Sequence, residues 1–318
     1  MTLGSLAIES IHVPVMVGEV LEALKVREGG LYIDCTVGAG GHGSAILSAA
    51  GPGSRLLGLD VDPNAIERAA TRLEEFRGNF LLANENFTRV EEVAVSAGFN
   101  PVDGVLFDLG VSSDLLADPR RGLSFQYDTP LDMRFSDRQQ VTAADLVNDL
   151  PESELADMLF QFGQERHSRR IARMIIANRP VLTTGQLARL VERSLNSTGR
   201  NPHKSRIHPA TRTFMALRIA VNREMDSLAS ALPQAVKVLK PQGRLVVISF
   251  HSLEDGMVKG FLRRESSACL CPPQVPQCIC GHSPSLKIIT REPIYPAEDE
   301  IRANPRSRSA KMRVAQKL

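Results

Sequence analysis

The chain lacks any apolar run of the roughly 18 residues that a bilayer-spanning helix needs, which excludes a membrane protein of that kind. It also lacks a basic N-terminal segment followed by an apolar stretch, so we expect no secretory signal. Cysteine is scarce, at 5 of 318 residues, and this is typical of chains from a reducing compartment. Tryptophan and long-period repeats are absent. The sequence therefore predicts a cytoplasmic protein with no membrane partner.

The composition is that of a globular chain. Hydrophobic residues make up 43% and charged residues 23%, which favours a packed core over disorder. The net charge of +2 decides nothing about partners, but its distribution is uneven. From Arg302 to the C-terminus there are six basic residues and no acidic one. This segment is interpreted either as a phosphate-attracting tail or as a solvated tail that aids solubility.

Strand and helix patterns alternate along the first hundred residues. Helical patterns separate the predicted strands, and Asp62 with Pro63 supplies a start signal for one of these helices. Such alternation predicts an α/β fold with a parallel, doubly wound, Rossmann-like sheet. The predicted strands are 31–36, 55–60, 79–83, 102–108 and, after an interruption, 243–250.

The interruption contains helical patterns only, at 152–162, 166–178 and 184–195. A long helix is predicted from about Thr211 to Leu232, where the sheet domain resumes. We therefore predict a discontinuous Rossmann-like domain of residues 1–114 and 212–318, with an all-helical insertion at 115–211. The insertion leaves from the carboxyl end of the fourth strand, the edge where such sheets bind ligands, so we expect it to cover or extend an active site.

The first two strands carry a candidate nucleoside site. A glycine-rich turn at 38–41 follows the first strand, and glycines let the backbone approach a ligand closely. The second strand ends in Asp60, whose carboxylate is placed to accept hydrogen bonds from both hydroxyls of a ribose. A tight turn between a strand and a helix is the alternative explanation of the glycines alone.

The spacing of the turn favours S-adenosylmethionine over a dinucleotide. The run is G-x-G-G-H rather than G-x-G-x-x-G, so the phosphate-binding pattern is absent. Asp34, four residues before the first glycine, suits an ammonium group. Asp108 ends the fourth strand, at the corner that faces the methyl acceptor in methyltransferases; a helix-capping role is its alternative.

Seven segments, in order and over nearly the whole chain, resemble the RsmH (MraW) family of bacterial 16S ribosomal RNA cytosine-N4 methyltransferases. The segments are 12–15, 32–42, 108–113, 130–134, 208–214, 243–255 and 304–311. The resemblance implies methyl transfer from S-adenosylmethionine to the N4 of a cytidine in the decoding region of 16S rRNA. The expected partner is this rRNA within the small ribosomal subunit. Because the insertion borders the predicted cleft, we also expect it to contact RNA.

The same resemblance implies specific cofactor positions. Asp60 matches the ribose-binding acid, and Phe87 matches a residue that lines the adenine pocket. Leu115 stands where the family often has glutamine, so only a backbone contact is expected there. The full set is Gly40, Gly41, His42, Asp60, Phe87, Asp108 and Leu115.

For catalysis, Asp108 is the first candidate to accept the amine proton, and His251 is the second. The alternative for the region around His251 is capping of the next helix by Ser252, with Asp255 three residues on. Aromatic residues before the insertion helices are interpreted either as stacking platforms for a flipped base or as core anchors: Phe125, Tyr127 and Phe135. Basic residues at three- and four-residue spacing form one helix face, which is either an RNA contact or a solvated face: Arg166, Arg169, Arg170 and Arg173.

Two C-x-C pairs surround a proline-rich turn, at Cys269, Cys271, Cys278 and Cys280. Four soft ligands within 12 residues suit a tetrahedral structural zinc, although C-x-x-C is the commoner spacing. A reduced hairpin without metal is the other interpretation.

Other functions remain open from the sequence. A methyltransferase acting on DNA or a small molecule needs neither the basic segment nor the helical insertion. A non-enzymatic RNA-binding assembly factor would lack tight adenosylmethionine binding. A nicotinamide dehydrogenase is disfavoured by the first glycine turn.

Overall fold

The computed structural model describes residues 14–196, 208–272, 274 and 277–318. The first two residues of the 12–15 segment, and 197–207 of the predicted insertion, lie outside this range. The described residues form two compact units, and the chain passes between them after Gly110 and after Glu224. We call residues 14–110 and 225–318 the sheet unit, and residues 111–224 the helical unit. The predicted boundaries were 114/115 and 211/212.

The sheet unit contains a mixed sheet with seven strands among its described residues. Their order is β3-β2-β1-β4-β5-β7-β6, and the first five run parallel. The order 3-2-1-4-5 is that of a Rossmann-like sheet, so the predicted α/β class is confirmed. The strands are β1 (Leu31–Asp34), β2 (Arg55–Leu59), β3 (Phe80–Ala83), β4 (Val102–Asp108), β5 (Leu239–Ser249), β6 (Leu286–Ile288) and β7 (Lys311–Lys317).

The interpretation of the basic C-terminal segment as a tail was wrong. Residues 311–317 form β7, which pairs antiparallel with both β5 and β6. Arg313 is only 5% exposed, and its guanidinium donates to both carboxylate oxygens of Asp255, at 2.6 and 3.2 Å. Burial of this charge is tolerated because it is paired. The apolar side chains of Met312 and Val314 are buried in the core.

Helices cover both faces of the sheet. Asp62 caps one of them by accepting a hydrogen bond from the Asn64 N–H, with Pro63 as the first helical residue, as predicted. The helices are α1 (Val17–Leu24), α2 (Gly41–Ala50), α3 (Pro63–Arg72), α4 (Val90–Ser96), α11 (Glu224–Val238), α12 (Ser252–Glu265) and α13 (Glu298–Ala303). Two apolar clusters contribute to the core of this unit, one including Phe107 and Leu245, the other Tyr32 and Leu106.

The helical unit has its own apolar core, which includes Leu159, Ile171 and Leu217. The three helices predicted between residues 152 and 195 are present. The helices are α5 (Ser113–Ala117), α6 (Ala143–Asp149), α7 (Glu152–Gly163), α8 (Ser168–Ile176), α9 (Thr184–Asn196) and α10 (Thr211–Asn222). Across the described residues of both units, no helix combines the length and the apolar character that crossing a membrane requires.

The prediction of a single helix from Thr211 to Leu232 was wrong. Arg223 has a left-handed backbone, with φ of 49°, and ends α10 through bonds from its N–H to the carbonyls of Ile219 and Ala220. A second helix, α11, starts at Glu224. The first half of the predicted helix therefore belongs to the helical unit.

Candidate functional site

The carboxyl ends of neighbouring parallel strands bring three acids to one edge of the sheet. Asp34 is the last residue of β1 and Asp108 is the last residue of β4, while Asp60 follows directly after β2. The chain order reverses between β1 and β4, and the two strands pair directly. Ligands of open α/β sheets bind at this switch point, so the three acids mark a candidate site.

Asp60 ties the glycine-rich turn to the second strand. Its Oδ2 accepts a hydrogen bond from the Gly38 N–H at 2.9 Å, and its Oδ1 accepts one from the Asp62 N–H at 2.9 Å. Burial raises the pKa of Asp60 to about 6, although these two hydrogen bonds lower it. The structure thus places the predicted turn and the strand-end acid side by side.

Asn84 was missed by the sequence analysis. Its Nδ2 donates to the Asp60 carbonyl oxygen at 3.0 Å, which fixes the end of β2 against the residues after β3. Its position directly after a predicted strand was the available signal.

Asp34 is fully buried, and burial raises its pKa to about 6. The charge of His42 and the Thr36 N–H, which donates to Oδ1 at 3.1 Å, act in the opposite direction. The second oxygen, Oδ2, has no hydrogen-bond partner in the described part of the chain. A buried acid with one oxygen unpaired is unusual and indicates a ligand-binding role.

His42 and Asp108 form a close pair. His42 Nε2 lies 3.3 Å from Asp108 Oδ2, and the two side chains are only 6% and 12% exposed. Burial lowers the pKa of His42, but hydrogen bonding to Asp108 and the charges of Asp108 and Asp34 outweigh it, so the net shift is upward. Thr36 helps to position Asp108, because its Oγ1 accepts the Asp108 backbone N–H at 2.7 Å.

Unpaired polar atoms concentrate at this edge. Four residues, one each from β1, α2, β4 and β5, carry buried side-chain atoms that lack a hydrogen-bond partner among the described residues. These atoms are Asp34 Oδ2, Asp108 Oδ1, Ser249 Oγ and both ring nitrogens of His42, of which Nε2 has only its 3.3 Å ion-pair contact with Asp108. Leaving such a group unpaired costs about 1–3 kcal/mol, so a cluster of them is explained by groups that a ligand supplies.

Gly40 and Gly41 open α2, and packing within the protein accounts for both glycines. Gly40 has φ of 80°, and a Cβ there would lie 3.2 Å from the Ala69 Cα. A Cβ on Gly41 would lie 2.9 Å from Pro14. The helix start carries no side-chain cap, so its first N–H groups suit a negatively charged ligand group.

Phe87 lies in a short 3-10 helix that follows β3, and Asn86 caps this helix by accepting the Thr88 N–H. The Phe87 ring packs edge-on against Phe107 of β4, with centroids 5.6 Å apart. The ring is partly buried, so the packing against Phe107 holds it in place while leaving part of its surface accessible.

The geometry around His251 favours its structural interpretation. His251 caps α12, with Nδ1 accepting the Glu254 N–H at 3.3 Å, while Glu254 Oε2 accepts the backbone N–H of Phe250 and of His251. The predicted Ser252–Asp255 cap was therefore wrong by one residue: Ser252 is the first helical residue, and Asp255 pairs with Arg313.

Leu115 lies in α5 of the helical unit. Its side chain packs against the core of that unit, and its backbone N–H donates to Ser112 Oγ at 3.1 Å. Its cofactor contact stays a prediction.

Contacts within the helical unit show what Arg134 and two of the three candidate stacking aromatics do. Arg134 donates two hydrogen bonds to Asp132, at 2.8 and 2.7 Å, so it braces that acid. Phe125 stacks on His208 at 4.4 Å between centroids and, like Phe135, packs against the core. Tyr127 is 56% exposed and remains available for stacking.

Comparison with known proteins gives the family. The model of the MraW methylase family matches residues 9–318. Among curated proteins, ribosomal RNA small subunit methyltransferase H of Dehalococcoides mccartyi is 52% identical over 98% of this chain and 88% of its own length. The protein of the same name from Thermomicrobium roseum is 51% identical over 98% of this chain and 95% of its own.

Among solved structures, TrmN from Thermus thermophilus matches 95% of this chain and 48% of its own at 11% identity, with a TM-score of 0.42. The family match spans nearly the whole chain, and the two relatives exceed half identity. The chain therefore belongs to the MraW methylase family.

Proposed function

We propose that this chain is a cytoplasmic enzyme that transfers a methyl group from S-adenosylmethionine to the exocyclic N4 of a cytidine in the decoding region of 16S rRNA. The family is one of methylases, and the curated relatives are named for the ribosomal RNA of the small subunit. The observation that carries the proposal is the group of buried, unpaired polar atoms at the carboxyl edge of the sheet, beside Asp60.

The residues at this edge fit S-adenosylmethionine. Each Asp60 oxygen keeps a lone pair after accepting one backbone N–H, so the carboxylate is able to accept the two ribose hydroxyls. Asp34 supplies a buried negative charge for the ammonium group, and Phe87 offers a partly buried ring to the adenine.

The N–H groups of Gly41 and His42, the first two residues of α2, suit the cofactor carboxylate. The Gly40 N–H donates to the Val37 carbonyl oxygen at 2.8 Å, so Gly40 is proposed to line the cofactor site without donating to it. Asp108 completes the set within the sheet unit.

When bound, S-adenosylmethionine supplies an electrophilic methyl group on a sulfonium. The chain must hold the acceptor amine in line with it, at about 3–3.5 Å, and accept a proton. The unpaired Asp108 Oδ1 is proposed to accept a hydrogen bond from the amine and then its proton. His42, held at Oδ2 of the same carboxylate, keeps Asp108 oriented.

The helical unit offers a surface that suits RNA. Arg169, Arg170 and Arg173 lie in α8, whereas Arg166 lies in the turn before it and is not part of the predicted helix face. All four are exposed and are proposed to contact phosphates, and Arg173 also pairs with Glu152 at 3.4 Å. A pocket of about 460 Å³ on the same unit is lined by Phe160, Gln161, Gln164, Arg166 and Arg212. Phe160 is 59% exposed there, which suits stacking with an unpaired base.

The test of the proposed function is mass mapping of small-subunit rRNA from cells that lack the protein. We expect one methyl group to be missing from a single cytosine of the decoding region. The wild-type chain should restore it, and a chain with Asp60→Ala should not. An unchanged methylation map would refute the proposal, and intact methylation without detectable adenosylmethionine binding in calorimetry would favour a non-enzymatic assembly factor.

Cofactor affinity should depend on pH in the acidic range. Asp34 and Asp60 both have a pKa raised to about 6, mainly by burial, and both must be ionised to bind the ammonium and the ribose as proposed. On lowering the pH from 7.5 to 5, we expect the affinity to fall about 10- to 100-fold, since each group loses about tenfold per unit below its pKa. Isothermal titration calorimetry across this range measures it.

The stability of the ligand-free protein should change with pH in the opposite direction to the cofactor affinity. Because the folded pKa values lie above the unfolded ones, the folded state binds more protons between about pH 4 and 6, and these two groups stabilise the fold as pH falls.

Glu67→Gln, at an exposed acid of α3, is the control for the affinity measurement and should leave the affinity profile unchanged. An affinity that is flat between pH 7.5 and 5 would contradict the roles of both acids.

A further inference from the structure

The sulfur atoms of the four cysteines between α12 and β6 lie close together. The Sγ atom of Cys269 lies 3.4 Å from that of Cys278 and 3.8 Å from that of Cys280, and the latter two are 3.5 Å apart. With Cys271 included, all four sulfurs lie within 4.8 Å of one another. We call residues 266–285, which connect α12 to β6, the cysteine hairpin.

These distances match a single tetrahedral metal ion. Four sulfurs at about 2.3 Å from a central zinc are about 3.8 Å apart along each edge of the tetrahedron. A disulfide requires about 2.05 Å between sulfurs, well below the shortest separation of 3.4 Å. The four cysteines are accordingly free thiols in this structure.

Backbone N–H groups point at three of the sulfurs. The Leu270 N–H donates to Cys280 Sγ at 3.4 Å, the Cys271 N–H to Cys269 Sγ at 3.3 Å, and the Ile279 N–H to Cys271 Sγ at 3.4 Å. Such donors stabilise thiolate over thiol, and thiolate is the form that binds metal. Hydrogen bonds of this kind also orient metal ligands from outside the coordination shell.

Packing does not explain why the cysteines converge. No described residue from 268 to 285 is buried, and Ile279 is 81% exposed. The cysteine hairpin also contains no Asp, Glu, Lys or Arg, so ion pairs within it are ruled out. A segment with neither an apolar core nor ion pairs needs a cross-link to keep one conformation.

The base of the hairpin is fastened to the sheet unit separately. The Ser285 N–H donates to the Glu265 carbonyl at 2.8 Å, and Ser285 Oγ donates to the Glu265 carboxylate at 2.8 Å. His282 Nε2 lies 3.1 Å from the Arg264 carbonyl oxygen, so that ring serves this base rather than the sulfur cluster. Only the outer part of the cysteine hairpin, which carries the four cysteines, depends on the sulfur cluster for its conformation.

We propose that Cys269, Cys271, Cys278 and Cys280 bind one zinc ion, which stabilises the cysteine hairpin. Four protein ligands close the coordination shell and leave no position for substrate, so the ion is structural. The site is independent of the proposed methyl transfer, because no cysteine of the hairpin belongs to the carboxyl edge of the sheet.

Elemental analysis of the full chain, purified under reducing conditions without chelator, tests the proposal. We expect one zinc per chain in the wild type and less than a tenth of that in Cys269→Ser and in Cys280→Ser. Two controls should keep one zinc: Ile279→Ser, which changes the same hairpin without removing a sulfur, and Cys35→Ala, which removes the one cysteine outside it. Replacement of zinc by Co²⁺ should give the intense visible bands of a tetrahedral thiolate site.

The unmodified protein provides a second measurement that does not depend on how the variants fold. Four thiols per chain should react slowly with a thiol reagent while metal is bound, and fast after a strong chelator removes it. Titration with a mercurial, which binds the thiols itself, should release one zinc per four thiols. Absence of bound metal, iron in place of zinc, or two disulfides in mass spectrometry of the reduced preparation would overturn the proposal. Zinc retained by both serine variants would do the same.

Discussion

Replacing Asp60 by alanine is expected to weaken S-adenosylmethionine binding about 100- to 10,000-fold. Two charge-assisted hydrogen bonds to the ribose, at about 1.5–3 kcal/mol each, account for this range. Part of the loss has a second source within the protein. The same carboxylate holds the N–H groups of Gly38 and Asp62, so its removal also frees the turn that precedes α2.

Asp60→Asn separates these two contributions. Both carboxylate oxygens accept backbone N–H groups, so an amide there must turn its NH₂ toward either Gly38 or Asp62. We therefore expect asparagine to retain little more affinity than alanine, even though its volume is the same. An asparagine variant that binds normally would show that charge at this position is unimportant.

Calorimetry gives the affinities, and thermal unfolding checks that each variant is folded. Glu67→Ala, at an exposed position of α3, is the matched control and should bind as the wild type does. If Asp60→Ala binds within threefold of the wild type while remaining folded, the ribose assignment fails, and with it the proposed placement of the cofactor.

The elements of this site were predictable because their signals are local. A buried strand with an acid at its end occurs twice within 30 residues, and a glycine turn follows the first of them. Parallel pairing of β1 with β2 then places these features together. Local patterns fix which end of each strand carries Asp34, Asp60 and Asp108. Short connections between neighbouring parallel strands then bring the three acids to the same edge of the sheet.

The errors arose where a distant residue decides the outcome. Residues 311–317 contain three basic residues, so composition favoured a solvated tail. They form a strand because Asp255, 58 residues away, neutralises Arg313, and because β5 presents an open edge. Neither fact is visible in the segment itself.

Helix boundaries were the other source of error. Arg223 itself adopts the left-handed conformation, while the asparagine that could have signalled a helix end stands one residue earlier, at position 222, so two helices were predicted as one. At α12, Ser252 and Asp255 match a capping box, yet the helix starts one residue earlier in register, with His251 and Glu254 in those roles. Histidine is an uncommon cap, and only the structure shows its Nδ1 accepting the Glu254 N–H.

Replacing Asp108 by alanine is expected to lower kcat about 100- to 10,000-fold, the range that a positioned proton acceptor contributes. The carboxylate is suited to this role because Oδ1 is buried without a partner among the described residues, while Oδ2 is held by His42 at 3.3 Å. We expect cofactor affinity to change much less than kcat, since Asp108 is proposed to act mainly on the acceptor amine. Single-turnover methylation of small-subunit RNA, combined with calorimetry, separates the two effects.

Asp108→Asn tests the contact between Asp108 and His42 separately from the loss of kcat. Asp108 contributes to the raised pKa of His42 through a hydrogen bond and through its charge, so the His42 pKa should fall in this variant when followed by NMR. In the wild type, the contact between His42 and Asp108 stabilises the folded state. This stabilisation is complete below the ordinary histidine pKa of about 6.5, and it is lost as the pH rises through the higher pKa that His42 has in the folded state.

The matched control lies on the same strand. Asp103→Asn changes the same residue type near the amino end of β4, where the carboxylate pairs with Arg27 and Lys240. It should affect stability but leave kcat unchanged, because it lies at the opposite end of the strand from Asp108. If Asp108→Ala keeps kcat within threefold of the wild type, the amine proton leaves by another route. The unpaired Asp108 oxygen would then need a different explanation, such as a hydrogen bond that it accepts from the cofactor ammonium.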